Sequence, residues 1–426
     1  MNRNLAGALI TSALFLAGCS GGGMTQTAIP VANNVEPASS APVQTEFQER
    51  LALGYYQASC AAAAPGEARC FAYFLTALGQ QALGHGLSPM DKRSTQATST
   101  SGPWEPSDLQ SAYGTTAAAA SNGSGKTVAI VDAYNDPKLA ADLATYRSQF
   151  GLPACTTASG CLRIVNQSGG TSLPANNASW SQEISLDVDM VSANCPKCNI
   201  LVVEANSPTT ANLAAGVNEA AKLGAIAISN SYGASESSSD PGGISAYTHP
   251  NIAITVSNGD AGYGVEVPAS YGTVTAVGGT TLNTASNSRG WTESVWSGTG
   301  SGCSRYEAKP SWQHDTGCTK RTVGDVAYVG NPSTGVYVYD SYAYQGYSGW
   351  LEFGGTSVGA PAIAAIYALS GNTSGTPAAL AYSNTAALND VTTGSNGSCS
   401  PAYLCHGETG YDGPTGNGTP EGTGAF

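Results

Sequence analysis

Short apolar runs alternate with segments of helical periodicity through the middle of the chain. The runs are bounded by polar and turn-forming residues, as is typical of strands buried on both faces of a parallel sheet. They predict strands at 127–133, 199–205, 225–229, 252–257 and 274–277. Helical patterns at 180–193 and 211–223 fall between some of them. The chain is therefore predicted to have an α/β fold, with a mostly parallel sheet and helices on both faces.

The regions on either side of this alternation have different patterns. Segments 47–56 and 70–83 are predicted to be helical, and 93–103 is a Ser/Thr/Gly-rich linker. Segment 285–350 is rich in Gly, Ser, Tyr and Trp, which predicts long loops and irregular strands.

The first residues have the pattern of an export signal. Arg3 precedes an apolar run over 5–17 that is too short to span a bilayer, which predicts a signal peptide at 1–18. Its ending, Leu-Ala-Gly-Cys19, resembles a bacterial lipobox and implies that Cys19 carries lipid. The alternative is an ordinary secretory signal with a chance cysteine. In both cases we expect an exported protein, and the Gly/Ser/Pro-rich segment 19–44 would be a flexible tether.

The cysteines agree with export. There are 11, and those other than Cys19 fall into close sequential pairs, for which nearest-neighbour disulfides are the simplest proposal. The pairs are Cys60/Cys70, Cys155/Cys161, Cys195/Cys198, Cys303/Cys318 and Cys399/Cys405. Cys195 and Cys198 could instead form a redox or zinc site.

Composition narrows the possible partners. The net charge is -13 and only 11% of residues are charged. Nucleic acids and anionic membranes select for Lys/Arg patches, so we expect no nucleic-acid partner and membrane contact only through a lipid.

Ser357 is the candidate nucleophile. It lies in the segment Gly-Gly-Thr-Ser357-Val-Gly-Ala-Pro361, which leads into a helix-forming segment at 362–369. A serine at a helix entrance has an unpaired N–H that can stabilise an oxyanion. It could equally be a helix cap. The segment also fits the G-x-S-x-G pattern of α/β-hydrolases, and Asp390 with His406 would complete such a triad.

The base for this serine is not an obvious histidine. None of the four histidines lies in a catalytic motif between an acid and Ser357. Helix 180–193 instead places Glu183 and Asp187 four residues apart on its apolar side, whereas Asp189 lies on the polar face, where we expect it to be solvated. Two crowded, buried carboxyls titrate as a unit, and one can act as a general base under acidic conditions. The alternative is a slightly irregular amphipathic helix.

Three motifs, in order along residues 104–424, resemble those of the sedolisin family. They are Glu183-x-x-Leu-Asp187, Ser257-Asn-Gly-Asp260-Ala-Gly and Gly-Thr-Ser357-x-x-x-Pro. The resemblance implies a subtilisin-like fold and a serine-carboxyl endopeptidase that cleaves proteins or peptides. Ser357 would be the nucleophile, with Glu183 and Asp187 as its base. Asp260 would donate to the oxyanion only when protonated, so activity would require acidic pH.

The resemblance also implies roles for further residues. Asp132 would extend the carboxylate network, and Ser231, Tyr232 and Gly233 would flank the substrate cleft, with Tyr232 in place of a common Trp. One calcium ion would bind near the C-terminus, which matches the preference of Ca²⁺ for many oxygen ligands. Its ligands would be the side chains of Asp390 and Asp412 and the carbonyls of Val391, Glu408 and Gly410. From spacing alone, this segment could also be a solvated loop.

The predicted organisation is a short pro-segment and linker at 45–103 and a peptidase domain at 104–426, expected to be a monomer. Trp104 begins a segment that resembles the mature start, so we expect self-cleavage near 93–103 to release the peptidase from its anchor. Two other functions stay open. One is an esterase that uses Ser357, Asp390 and His406, and the other is a non-catalytic surface lipoprotein.

Overall fold

The computed structural model describes residues 44–85 and 100–426. The predicted signal peptide, Cys19, the tether and most of the 93–103 linker lie outside these residues. Residues Gln44–Phe426 form one compact unit. Within the described ranges, no helix combines the length and apolarity needed to cross a bilayer.

The described residues contain short strands and helices in alternation. The strands are β1 Tyr56–Ala58, β2 Arg69–Cys70, β3 Tyr73–Leu75, β4 Thr127–Ala133, β5 Leu162–Asn166, β6 Asn199–Ala205, β7 Ala227–Asn230, β8 Tyr232–Ser235, β9 Ala253–Ser257, β10 Glu266–Val267, β11 Thr275–Thr284, β12 Trp291–Val295, β13 Gly302–Cys303, β14 Thr322–Val323, β15 Val326–Val329, β16 Val336–Tyr344, β17 Tyr347–Gly354, β18 Leu388–Asn389 and β19 Thr419–Pro420. The helices are α1 Glu46–Ala52, α2 Ala77–Leu83, α3 Pro106–Ala112, α4 Thr116–Ser121, α5 Leu139–Gln149, α6 Ala178–Asn194, α7 Thr210–Lys222, α8 Gly359–Ser370 and α9 Leu380–Ser383.

The central sheet has eight strands. Its order is β12-β11-β9-β7-β4-β6-β5, and β15 also pairs with β11. All of its pairings are parallel except that of β11 with β12. The predicted α/β class and all five predicted strands are therefore confirmed. Most strand ends lie within two residues of the prediction, but β11 continues seven residues beyond its predicted end. β4, at the centre of the sheet, carries four successive residues, Val128 to Val131, that are fully buried.

The helical prediction for 70–83 is wrong over its first residues. Arg69–Cys70 and Tyr73–Leu75 are strands, and only Ala77–Leu83 is helical. β2 pairs with β8, and β3 pairs with β17, which lies far along the sequence. A local sequence pattern contains no information about pairing with a distant strand. Such pairing can override the intrinsic helix propensity of a segment.

The prediction of long loops and irregular strands for 285–350 is only partly right, because some of these strands are regular. β16 and β17 form a long antiparallel hairpin, and β15 extends the central sheet. Val336 and Val338 are fully buried in β16, as period-2 burial requires, although Tyr337 between them is buried as well. The high content of Gly and Ser concealed this pattern.

Helix α6 is buried on every side, and the expected solvation of Asp189 is therefore wrong. All residues from Trp180 to Asn194 are buried. The Asp189 carboxylate accepts a hydrogen bond from the backbone N–H of Tyr339, 3.0 Å away in β16. The predicted polar face thus packs against the hairpin rather than water.

The five nearest-neighbour disulfides are all present in the structure. Cys195 and Cys198 are bonded to each other, which leaves no thiolates for zinc.

Candidate active site

Ser357 lies where β17 ends and α8 begins. It is buried in a short 3-10 turn at Thr356–Val358. Its hydroxyl donates to the carbonyl oxygen of Ser231 at 3.2 Å, and its backbone N–H donates to the carbonyl oxygen of Phe71 at 3.1 Å. Gly355, two residues earlier, has a φ of 111°, which a residue with a Cβ rarely adopts. The turn presents the serine hydroxyl and N–H toward the same cleft.

Glu183 and Asp187 lie on α6, beside Ser357, and are fully buried. The Ser231 hydroxyl donates to both carboxylate oxygens of Asp187, at 2.8 and 2.9 Å. Among the described residues, neither oxygen of Glu183 has a hydrogen-bond partner. Burial, and then the neighbouring Asp187, raise the pKa of Glu183 well above its usual range, and proximity of the Ser357 hydroxyl opposes that increase. A carboxyl in this setting can hold or accept a proton at mildly acidic pH.

Asp132 is a third carboxyl of the same cluster. It lies near the end of β4, fully buried, and neither of its oxygens has a partner within the described ranges. Burial raises its pKa to about 8. Its charge in turn raises the pKa values of Glu183 and Asp187. The three carboxyls therefore share their protons rather than ionise independently.

Asp260 follows β9 and contacts Thr356, the residue before Ser357. Its Oδ1 accepts hydrogen bonds from the N–H and the hydroxyl of Thr356, at 2.8 and 2.7 Å. Its Oδ2 is buried and has no partner in the described part of the chain. Burial raises the pKa of this carboxyl to about 7, although the Thr356 hydrogen bonds oppose the increase. Below that pH, Oδ2 can carry a proton and serve as a donor.

Several known proteins are similar to this chain in sequence or in fold. The chain is 35% identical over 177 residues to sedolisin from Pseudomonas sp. (strain 101) and 34% identical over 210 residues to xanthomonalisin from Xanthomonas sp. (strain T-22). A solved Pseudomonas sedolisin, a serine-carboxyl proteinase complexed with pseudo-iodotyrostatin, matches 76% of this chain and 96% of its own at 25% identity and a TM-score of 0.62. The chain is therefore similar in sequence to sedolisin-type peptidases and similar in fold to sedolisin.

The chain matches only part of the length of these relatives. The matched regions are 37% of this chain and 29% of sedolisin, and 43% of this chain and 24% of xanthomonalisin. Kumamolisin from Bacillus sp. (strain MN-32) is 28% identical over 71% of this chain and 59% of its own length. No family model matches the chain.

The described residues do not assemble the alternative triad. His406 is exposed in the C-terminal region, where its backbone forms a bridge with Ser395. Asp390 is exposed too, and its carboxylate accepts from the N–H of Gly410 at 2.9 Å. Ser357, by contrast, is buried beside carboxyls. The structure thus assembles no Ser357–His406–Asp390 relay among the described residues.

The predicted calcium ligands are brought together. Asp412 is buried, and its oxygens accept from the N–H groups of Thr415 at 2.8 Å and Glu408 at 3.1 Å. Burial, with a contribution from Asp390, raises the pKa of Asp412 to about 7. No basic side chain within the described ranges pairs with either carboxylate. Two uncompensated carboxylates on a carbonyl-rich loop fit a hard cation.

A second group of acids was not predicted. Asp136, Asp142 and Asp340 lie with one carboxylate oxygen each within 4.8 Å of one another. Burial is the main cause that raises the pKa of Asp136 to about 6 and of Asp340 to about 7. Sequence spacing could not reveal this group because α5 and β16 meet only through the tertiary fold.

The predicted cleft residues form one wall beside Ser357. Tyr232 and Gly233 begin β8, and the Tyr232 hydroxyl donates to Asn230 at 2.8 Å. Two residues that contact the site were missed. Thr356, which holds Asp260, was visible within the Gly-Thr-Ser motif, whereas nothing in the sequence indicated that Phe71 lies in the cleft.

The buried carboxyls predict that the protein is most stable under acidic conditions. A carboxyl whose pKa is higher in the folded state than in the unfolded state stabilises the fold fully below its unfolded value, and that stabilisation is lost as the pH rises through the folded value. For Asp132 this range runs from 3.8 to about 8, and for Asp260 from 3.8 to about 7. We therefore expect the free energy of unfolding, from urea titrations of Ser357→Ala, to fall from pH 4 to pH 8.

Asp132→Asn in the same background should flatten part of this decline, because an amide does not titrate. Glu49→Gln, which changes an exposed carboxyl, is the matched control and should leave the slope unchanged. A stability that rises between pH 4 and pH 8 would contradict this account.

Proposed function

We propose that the protein is an acid-acting serine-carboxyl endopeptidase that cleaves proteins or peptides. The observation that carries the proposal is the environment of Asp260. One of its oxygens is fixed by Thr356, and the other has no partner among the residues that the structure describes. A pKa of about 7 keeps this carboxyl protonated in acid. A neutral carboxyl beside a serine N–H is a donor pair suited to a developing oxyanion.

In the proposed mechanism, Glu183 accepts the proton of the Ser357 hydroxyl as the serine oxygen attacks the scissile carbonyl carbon. Asp187, held by Ser231, takes part in the same proton-sharing network. Because the three carboxyls share their protons, one of them can stay ionised in acid and accept the serine proton through Glu183. The protonated Glu183 then returns the proton to the leaving amine. Water later attacks the ester, with Glu183 again as the base.

The carbonyl oxygen becomes negative when the tetrahedral intermediate forms. The Ser357 N–H and the proton on Asp260 Oδ2 would both donate to it. Above about pH 7 the Asp260 carboxylate is only an acceptor, and it would repel the oxyanion. Activity should therefore be confined to acidic and near-neutral pH.

We also propose that the chain is exported through the signal at 1–18 and anchored through Cys19. Protein or peptide substrates would then be met outside the cytoplasm, by a monomeric enzyme. The five disulfides agree with an oxidising compartment.

The function is tested by the pH profile of digestion of an unfolded protein between about pH 2 and 8. We expect activity that is lost above about pH 7, absent in Ser357→Ala and unchanged in His406→Ala. Loss of activity in His406→Ala, or no digestion at any pH, would refute the proposal.

We further propose that one calcium ion is held by Asp390 and Asp412 with the carbonyls of Val391, Glu408 and Gly410. Removal of calcium with EDTA should lower the melting temperature at pH 6, because the two carboxylates would lose their compensating charge. Asp412→Asn should lower the melting temperature in calcium and abolish its response to EDTA. An equal EDTA response in Asp412→Asn and the parent protein would contradict this ligand assignment.

A further inference from the structure

The cleft beside Ser357 is occupied by the chain's own N-terminal segment. β2 runs antiparallel to β8, with Arg69 opposite Gly233 and Cys70 opposite Tyr232. The pairing continues to Phe71, whose N–H donates to the Ser231 carbonyl oxygen at 3.2 Å. An extended peptide added to a strand edge is a common way for a protein to bind a peptide.

The Phe71 carbonyl lies in the position expected of a bond about to be cleaved. Its oxygen accepts from the Ser357 N–H at 3.1 Å. A Cβ placed on Gly355 would lie 2.1 Å from this oxygen and 2.7 Å from Oδ2 of Asp260. The Phe71 oxygen and the unpaired Asp260 oxygen therefore face the same point, next to both proposed oxyanion donors.

The Phe71 side chain fills a site built for a large ring. It is 1% exposed, and a Cβ on Gly233 would lie 2.7 Å from ring atoms Cε2 and Cζ. The Arg69 guanidinium lies over the same ring, 5.6 Å from its centroid. The absence of a side chain at Gly233 thus provides the room for an aromatic residue at this position.

The residues that follow the Phe71–Ala72 bond are held in place by the fold. The Ala72 carbonyl accepts from the N–H of Ser59 at 3.0 Å, and β3 pairs with both β1 and β17. Phe74 and Leu75 are fully buried. If the Phe71–Ala72 bond were cut, the new amine of Ala72 would be held next to the serine.

The loop that presents Phe71 is closed at both ends. The disulfide between Cys60 and Cys70 joins the residue just before Phe71 to the start of the loop. The Ser59–Ala72 hydrogen bond closes it on the far side of the bond. A constrained, prebound loop loses little entropy on binding and therefore competes well with flexible peptides.

We propose that residues 60–72 form a tethered, substrate-like inhibitor whose reactive bond is Phe71–Ala72, and that the subsite beside Gly233 takes large aromatic side chains from substrates. This proposal rests on the endopeptidase function proposed above. It moves the expected self-cleavage from 93–103 to a bond inside the folded unit.

The chemistry at this bond is reversible. The Ser357 oxygen attacks the Phe71 carbonyl carbon, and its proton passes through Glu183 to the nitrogen of Ala72 as the peptide bond breaks. An ester then joins Ser357 to Phe71. The retained Ala72 amine can attack this ester, which returns the proton to Ser357 and restores the peptide bond. Such a loop inhibits even though it fits as a substrate.

The test uses the full chain, Ser357→Ala as the inactive control, and four further variants. Phe71→Gly removes the ring, and Phe71→Tyr retains an aromatic ring. A double Cys60→Ser/Cys70→Ser change opens the loop, and a double Cys155→Ser/Cys161→Ser change opens a short disulfide loop elsewhere as the matched control. The readouts are the affinity for a short peptide aldehyde ending in phenylalaninal, the initial rate on an unfolded protein at pH 4, and the new N-termini that form.

We expect Phe71→Gly and the Cys60/Cys70 variant to bind the aldehyde at least tenfold more tightly than the parent. Their initial rates should rise by a similar factor, while Phe71→Tyr and the Cys155/Cys161 variant resemble the parent. A new N-terminus at Ala72 should form in the parent and not in Ser357→Ala.

Two results would overturn the inhibitor proposal. If the parent digests protein and binds the aldehyde as well as Phe71→Gly and the Cys60/Cys70 variant do, and no N-terminus forms at Ala72, this inference fails while the endopeptidase function stands. If no variant binds the aldehyde or digests protein at any pH, the endopeptidase function itself fails, and the inhibitor with it.

Discussion

We expect Glu183→Gln to lower kcat/KM for acid proteolysis by about 10²- to 10⁴-fold, the range that a positioned general base contributes. Glutamine has a closely similar shape but cannot accept the proton of Ser357. The fold should tolerate the change, because burial raises the pKa of Glu183 and so favours its neutral form, which glutamine resembles. Its carboxyl also has no hydrogen-bond partner among the described residues. The measurement is the initial rate of peptide cleavage at pH 4.

The rates should be compared in both the parent and the Phe71→Gly backgrounds. If Glu183→Gln were inactive only because residues 60–72 still occupied its cleft, it would recover activity in the Phe71→Gly background. If it were inactive because the base is lost, it would stay inactive there. His406→Ala is the control for a histidine base and should retain the parent rate. Equal rates for Glu183→Gln and the parent in the Phe71→Gly background would rule out Glu183 as the base.

We expect Asp260→Ala to lower kcat by about 10²- to 10³-fold, as the removal of one oxyanion donor typically does. The effect should be largest in acid, where the native carboxyl carries its proton. Binding of substrate in the ground state should change less, because the donor acts on charge that develops in the transition state. Separate kcat and KM values at pH 4 test this expectation.

Asp260→Asn keeps a hydrogen-bond donor at this position but removes the group that titrates. The amide should donate at every pH, so the ratio of its kcat/KM to that of the parent should increase as the pH rises through about 7. This direction follows from the raised pKa of Asp260, above which the parent loses its donor. A constant ratio across this range would contradict the role of Asp260 as a titrating donor.

Much of the fold could be predicted because its central strands are buried on both faces. β4 and β6 have the predicted bounds, since continuous apolar runs between turn-forming residues identify such strands. The regular pairing of the β16–β17 hairpin was missed because its Gly, Ser and Tyr content resembles that of loops and irregular strands. The burial of Asp189 was missed because the hairpin covers the helix face that an amphipathic pattern assigns to water.

The residues of the site that belong to local sequence motifs could be predicted. Ser357, Glu183, Asp187 and Asp260 lie close together, as the resemblance implied, although their catalytic roles stay predictions. The occupation of the cleft by Phe71 could not be predicted. It depends on the pairing of β2 with β8, and no local pattern in a two-residue strand specifies its partner.

The pairing of β3 with β17 also has a consequence for the order of assembly. Phe74 lies opposite Phe353 and Tyr73 opposite Gly354, so the strand that leads to the nucleophile pairs with residues made near the start of synthesis. Contacts between such distant residues form slowly and late in folding. The nucleophile turn and the segment that covers it would thus be completed in the same step. A newly made chain would then not display an open cleft to its neighbours.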